Sequence, residues 1–367
     1  MTQHATRIAT AHHAVTVLSQ TNTVTDWMIR YFGQWWNAQP TTAPFPGPLV
    51  TADVDATTVT TYTQNVSNRP HQETTYANTR MLYGRTSGHV VTAAQPSEHL
   101  AYRSEPGHLH IVGHETLPMC LAAARLAREV VRGQLLADGW SILHASAVTD
   151  PDGQTVLTLG GKGSGKTTTA LLLARAGWRL LANDRVFVRP DSDGIRVLPW
   201  PSAAAIGLSL LDALDLYDPV RERTQRGERL HPTQHQRVTD ALATDRRKPL
   251  WNENGKELKP QLFPHQLSEW LGLSLATEGR AAHLLFPHIT PATTPAKTDD
   301  SRALSAEDFF TAATEDRYAD VFELLPSEQL IPKPALDLLS HLPHHSITLS
   351  HDVKDNTAFL TELLAAP

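Results

Sequence analysis

Eight residues in the middle of the chain, Gly160–Thr167 in the order GGKGSGKT, constrain the fold more than any other stretch. They match G-x-x-x-x-G-K-[ST] at every position, a pattern that works as the turn between a β-strand and an α-helix. The glycines let successive backbone N–H groups point inward at phosphate oxygens, and the following helix lays its positive end on the same spot. Both flanks fit. TVLTL (Thr155–Leu159) is a short apolar run expected to form the feeding strand, and TTTALLLARAG supplies helix formers ended by Gly177 as a C-cap. The expected nucleotide-binding residues are Gly160, Gly161, Lys162, Gly163, Ser164, Gly165, Lys166, Thr167 and Thr168. Lys166 would reach the β- and γ-phosphates and the Thr167 hydroxyl would ligate Mg²⁺, so ATP and Mg²⁺ are the implied cofactors.

The next apolar run, WRLLANDRVFV (Trp178–Val188), reads as a second strand, lying beside the first and carrying Asn183 and Asp184. An acid at the carboxyl end of a strand can hold Mg²⁺ or take a proton from an attacking group. One aspartate does not distinguish these roles. A neighbouring basic or histidine side chain would, and His144, in the strand WSILHASAV (Trp140–Val148), is a candidate.

Together, LHASAV and GGKGSGKTTTALLLARAGWRLLANDRV resemble the catalytic core of HPr kinase/phosphorylase and the HPr-kinase-like kinases. The resemblance is close over Leu143–Val188 and loose elsewhere. Asp184 follows Lys166 by 18 positions, the family spacing, and His144 matches the family's active-site histidine. The resemblance implies an α/β fold with a P-loop kinase core of the HPr kinase/PEP carboxykinase-like type. It implies that Asp184 is the general base for an acceptor hydroxyl, that His144 orients it, that Lys166 cradles the phosphates, and that Thr167 and Asp184 meet the metal.

Three departures matter. Asn183 stands where the family has a second carboxylate, and PWPSAAAIGLSLLDALDL (Pro199–Leu216) replaces the glycine-rich segment with its metal-binding Glu, which puts phosphorolysis in doubt. The first 115 residues do not resemble the family's usual first domain. The expectation is therefore a specialised ATP-dependent kinase of a Ser/Thr hydroxyl in a peptide or protein, a branch found among modifiers of ribosomally made precursor peptides. The alternatives are a small-molecule kinase and a non-catalytic nucleotide-binding regulatory module. A transport-type ATPase is disfavoured because no LSGGQ-like segment follows the loop.

Beyond Asp184 the composition turns basic between Arg221 and Lys259. The family has a catalytic arginine roughly this far along, so by resemblance Arg246 or Arg247 would stabilise the transferred phosphoryl group, with Lys256 and Lys259 as further candidates. The segment reads as a substrate-gripping lid or as a solvated loop.

At 367 residues the chain is long for one core. We expect an N-terminal α+β domain over 1–115, of unassigned role, and a catalytic domain over 116–367 that includes a C-terminal helical segment. The expected elements are strands at Thr58–Val66 and His108–His114, a short helix at Asp26–Trp36, a loop at Pro40–Pro48, a long helix at Leu117–Gly139 and a buried strand at Ala281–Ile289. A Pro/Thr-rich linker, ITPATTPAKTDD, starts at Ile289, and at least two helices follow it.

The net charge of −6 gives no basis for nucleic-acid binding. One cysteine, Cys120, fits a reducing compartment; with no apolar run near 20 residues and a poor signal peptide, a cytoplasmic protein away from membranes is expected. Relatives of the resembled family form oligomers, so a homo-oligomer is a further expectation. The paired histidines of HLHIVGH and HLPHHSITLSH lack a Cys or carboxylate companion in sequence and read as structural, as Cys120 reads as a buried small residue.

Overall fold

The computed structural model describes residues 3–365, apart from 87–88, 292, 300–301, 311–317 and 327–332. The chain divides into two compact units, one of residues 1–140 with 311–330 and one of residues 141–310 with 331–367. Both mix sheet and helix. No described helix is long and apolar enough to cross a membrane.

Among the described residues, the first unit is a nine-stranded sheet carrying three α-helices. Its strands are β1 (His4–Thr10), β2 (His13–Ser19), β3 (Gln39–Pro40), β4 (Leu49–Val54), β5 (Gln72–Tyr76), β6 (Thr79–Thr86), β7 (Val90–Gln95), β8 (Leu100–Glu105) and β9 (His108–Gly113). They lie in the order β3-β1-β2-β4-β9-β8-β7-β6-β5. The helices are α1 (Asn22–Phe32), α2 (Ala56–Ser67) and α3 (Thr116–Ala137). The long helix α3 packs on β2, β4, β9 and α1, burying Met119, Cys120, Ala123, Leu126, Ala127 and Val131. That packing moves the boundary: the division falls after Trp140, where 115/116 was expected, because the apolar face of α3 is covered by the N-terminal sheet. Desolvation pushes the Cys120 thiol up to about 12, which suits a buried packing residue.

One expected strand is a helix. Thr58–Val66 lies inside α2, whose N-cap Asp55 accepts from the Thr58 backbone N–H at 3.0 Å and from Thr58 Oγ1 at 2.6 Å. The apparent alternation comes from threonines that face solvent. The residues that pack are Val59, Tyr62 and Val66, a helical spacing that meets Leu82, Ala94, Ala101 and Val112 on the sheet.

The second unit holds β10 (Ser141–Leu143), β11 (Ala145–Thr149), β12 (Gln154–Leu159), helix α4 (Lys166–Arg175), β13 (Arg179–Ala182), β14 (Val186–Asp191) and β15 (Gly194–Pro199). Next come two-residue strands β16 (Ala204–Ala205) to β19 (Gln261–Leu262), with β17 (Leu250–Trp251) and β18 (Glu257–Leu258) between them. Among these lie short helices α5 (Leu208–Ala213), α6 (Tyr217–Gln225), α7 (Gln236–Ala243) and α8 (Pro264–Glu269). The unit closes with β20 (Gly279–Ile289), β21 (Ala296–Lys297), helix α9 (Lys333–Ser340), β22 (His344–Leu349) and helix α10 (Val353–Ala365). Ala292 and Asp300 of the expected linker lie outside the described residues.

The main sheet of this unit runs β10-β14-β15-β20-β12-β11-β13, with β22 beside β20. Two runs read as single strands are each broken in two. Trp140–Val148 interrupts at His144, and Trp178–Val188 interrupts at Asn183–Arg185, because the chain changes partner at both points. β10 and β14 pair with each other, while β11 and β13 pair at the opposite edge of the sheet order. His144 and Asn183–Arg185 are thus the two short connections between the edges of one sheet. The core beneath them is apolar: Leu143, Ala145, Leu157, Leu159, Leu181, Val186, Leu284 and Phe286 form one buried cluster.

Candidate active site

The glycine-rich loop folds as its sequence demands, between the end of β12 and the start of α4. Two of its glycines are dictated by space as well as by torsion. Gly160 has φ 142°, and a Cβ there would meet Ser164 Oγ at 2.5 Å. Gly165 caps α4 at φ 112°, and a Cβ there would lie 2.9 Å from Ile289 Cγ1 at the end of β20. The helix start is tied to the sheet by the Ser146 hydroxyl, which donates to the Lys166 carbonyl at 2.8 Å. Lys166 Nζ lies over the loop, donating to the carbonyls of Gly160 at 2.5 Å and Gly161 at 3.2 Å. Gly161, Lys162 and Gly163 are exposed, and Thr167 and Thr168 are half-buried in the first turn of α4.

Strand register brings the other candidates to this end of the sheet. Across β12, β11 and β13, Leu157, Ala147 and Ala182 are partners in one row. One pleat further on, Ala145 faces Leu159, so His144 follows opposite the point where the loop begins, and Asp184 follows two residues after Ala182. β12 and β13, expected side by side, are not neighbours: β11 stands between them, antiparallel to both. Two strand spacings, roughly 10 Å, therefore separate the backbone at the end of β13 from that at the end of β12.

Asp184 is open to solvent, with its side chain 54% exposed, and pairs with Arg185 Nε at 3.7 Å. Arg185 is itself laid over the rings of Phe310, at 4.7 Å, and Trp200, at 5.6 Å. His144 is half-buried, its ring 5.7 Å from that of Phe310, and its backbone N–H donates to the Asp308 carbonyl at 2.8 Å. Asn183 Oδ1, by contrast, is buried without a hydrogen-bond partner among the described residues, as is Ser164 Oγ inside the loop. An orphaned hydroxyl inside the loop, able to donate, and two glycines with no room for a Cβ fit a cradle for a polyphosphate. The half-buried Thr167 hydroxyl and the solvent-facing Asp184 carboxylate are hard oxygen donors of the kind Mg²⁺ takes.

A charged residue the sequence did not flag joins this end. Arg302 Nη1 would stand 3.8 Å from a Cβ built on Gly160, and its guanidinium lies 4.6 Å over the Phe286 ring. Arg302 Nη2 donates to the buried Asp308 carboxylate at 2.5 Å. No motif marks it, because it follows the linker and reaches the loop only by tertiary folding.

The two expected arginines are placed differently. Arg247 is engaged by carboxylates of its own segment, with Asp212 Oδ1 at 2.7 Å, Asp218 Oδ1 at 2.6 Å and Asp245 Oδ1 at 3.2 Å, and it stacks 4.4 Å over Tyr217. Those contacts tie α5, α6 and the turn after α7 together. Arg246 is exposed, and its carbonyl accepts from Tyr217 Oη at 3.2 Å. Lys259 pairs with Glu257 at 3.1 Å, and Lys256 is exposed.

Elsewhere, the histidines of HLHIVGH have ordinary partners: Thr51 Oγ1 lies 2.8 Å from His108 Nε2 and Tyr62 Oη 3.0 Å from His110 Nδ1.

No family model matches the chain, and no curated protein matches it. Among solved structures, similarity is found to the HPr(Ser) kinase/phosphatase from Coxiella burnetii, at 12% identity over 44% of this chain and 68% of that one, with a TM-score of 0.22. At so low a likeness, the chemistry of the site stands on its own residues.

Proposed function

We propose that this protein is an ATP-dependent kinase that transfers the γ-phosphoryl group to a Ser or Thr hydroxyl of a peptide or protein, with a ribosomally made precursor peptide as the leading candidate. The observation that carries this reading is the register of one sheet, which brings the glycine-rich loop, His144 and Asp184 to the same end. A nucleotide-holding module needs the loop alone. It does not need an open carboxylate two strands away.

In this reading the loop N–H groups and Lys166 hold the phosphates, and the Thr167 hydroxyl and the Asp184 carboxylate are the residues that would hold Mg²⁺. Bound there, Mg²⁺ would neutralise charge on the phosphate oxygens. Asp184, accessible to solvent, takes the proton from the acceptor hydroxyl. His144 orients the site from the neighbouring connection. Arg302, close to Gly160, supplies the positive charge that the family resemblance assigns to Arg246 or Arg247.

The experiment is phosphoryl transfer from labelled ATP to a panel of Ser/Thr peptides, proteins and small alcohols, run beside the Asp184→Asn variant. Transfer to peptides that is lost in the variant supports the proposal. Transfer confined to small alcohols replaces its substrate class. Nucleotide binding without transfer to any acceptor defeats it and leaves a regulatory module.

A further inference from the structure

The turn joining β1 to β2 carries His12 and His13, and both rings converge on one carboxylate, Asp138, at the C-terminal end of α3. His12 Nε2 lies 3.2 Å and His13 Nε2 3.3 Å from Asp138 Oδ2, and the two ring centroids are 4.8 Å apart. One ligand atom from each of the three residues falls within 4.8 Å of the others. We propose that His12, His13 and Asp138 form a binding site for a divalent transition-metal ion of the zinc class, with three protein ligands and a further position open to solvent.

The backbone argues for it first. Consecutive residues of a regular strand point to opposite faces, so neighbouring histidines do not ordinarily meet. Here Ala11, at φ 49°, turns the chain so that His12 in the turn and His13 at the start of β2 address the same oxygen. Gln134, one helical turn before Asp138, donates to the Ala14 carbonyl at 3.1 Å and fixes the hairpin against α3. The ligands therefore sit on two elements already joined, as a metal site requires.

Distance and charge agree. Zinc bonds of about 2.0–2.1 Å to nitrogen and oxygen in a tetrahedron place adjacent ligand atoms about 3.3 Å apart, the spacing seen on both edges to Asp138. Two imidazoles and a carboxylate are the donors that suit zinc and its neighbours in the first transition row. Asp138 is also the C-cap of a 22-residue helix, where the aligned carbonyl dipoles oppose a negative charge. A cation on Asp138 offsets that opposition. The side chains of His12, His13 and Asp138 are 63%, 19% and 33% exposed, so an ion enters directly from solvent.

The alternative occupant of this cluster is a proton shared between the imidazoles and the carboxylate, and direct metal binding separates the two. Full-length protein is stripped with a chelator and titrated calorimetrically with Zn²⁺, and in parallel with Co²⁺ while its visible ligand-field band is recorded. The expected result is one high-affinity ion per chain, with a tetrahedral-type Co²⁺ spectrum. His12→Ala and Asp138→Asn should each weaken binding at least about tenfold, and His71→Ala, on an exposed histidine elsewhere, should leave it unchanged. Because His12 is largely exposed, its truncation is not expected to unfold the chain. Zn²⁺ should raise the melting temperature of the parent protein and of His71→Ala by the same amount, and that of His12→Ala by less. Absence of stoichiometric binding, or equal affinity in His12→Ala and the parent protein, would overturn the proposal. Nucleotide does not enter this measurement, so it stands or falls apart from the kinase reading.

Discussion

Arg302 donates to the buried carboxylate of Asp308 at 2.5 Å while its guanidinium also lies beside Gly160, the first residue of the glycine-rich loop. Asp308 in turn accepts the His144 backbone N–H through its carbonyl, at 2.8 Å. One short segment thus anchors a cation next to the loop and fixes the connection on which His144 rides. A guanidinium held by a carboxylate and an aromatic face is oriented before any anion arrives, which lowers the cost of ordering it on binding.

Replacing Arg302 by Ala should slow phosphoryl transfer about 10²-fold or more, the usual loss for a charge-stabilising donor at a reacting centre. It also strands a buried carboxylate and should cost about 1–3 kcal/mol of stability. The double variant Arg302→Ala/Asp308→Asn separates the effects. Urea unfolding should recover most of the stability, while the transfer rate stays low. Recovery of the rate along with the stability would make Arg302 a purely structural residue.

Asp184→Asn should lower the transfer rate at least about 10²-fold while ATP affinity falls less, since the loop N–H groups and Lys166 would hold the phosphates directly and Asp184 would meet them only through Mg²⁺. Single-turnover kinetics and nucleotide titration on the same preparation check this. An unchanged rate would remove the general-base role.

The loop glycines should not respond alike. Gly165→Ala sets a methyl group 2.9 Å from Ile289 in a left-handed conformation and should cost at least about 1–2 kcal/mol, with weakened nucleotide binding. Gly161→Ala meets nothing within 4 Å and should keep the parent melting temperature. Thermal melts of both, with and without ATP, test the contrast.

Acid should loosen α2. The Asp55 carboxyl is held below its ordinary value of 3.8 by hydrogen bonds from the Thr58 hydroxyl and backbone N–H. A carboxyl depressed by folding contributes stability that is fully present above the unfolded value and lost as pH falls through the folded one. At neutral pH, Asp55→Ala should cost about 1 kcal/mol as a lost N-cap. That difference from the parent should shrink as pH falls below about 4 and Asp55 becomes protonated. Chemical denaturation at a series of pH values measures it; a gap that stays undiminished at low pH would detach the cap from the carboxylate's charge.

What the sequence determined by itself was local. A G-x-x-x-x-G-K-T run specifies its own turn because the glycine torsions, the feeding strand and the following helix are all encoded within about 25 contiguous residues. The long helix over Thr116–Ala137 was legible for the same reason, its apolar face repeating within one segment. The boundary at 115/116 was not, because the chain changes unit only after α3 has packed on the N-terminal sheet. Thr58–Val66 misled because threonine suits a strand and is tolerated on an exposed helix face, so that Asp55 and the spacing of Val59, Tyr62 and Val66 decided the outcome. Tertiary structure alone decided the rest. His144 and Asn183–Arg185 become connections only because β10 and β14 pair at one edge of the sheet order while β11 and β13 pair at the other. Arg302 meets a loop more than a hundred residues earlier, and His12 and His13 meet Asp138 at a similar remove. Contacts of that sequence separation leave no periodicity in the chain, because the partners are chosen by how sheets and helices close over a common core.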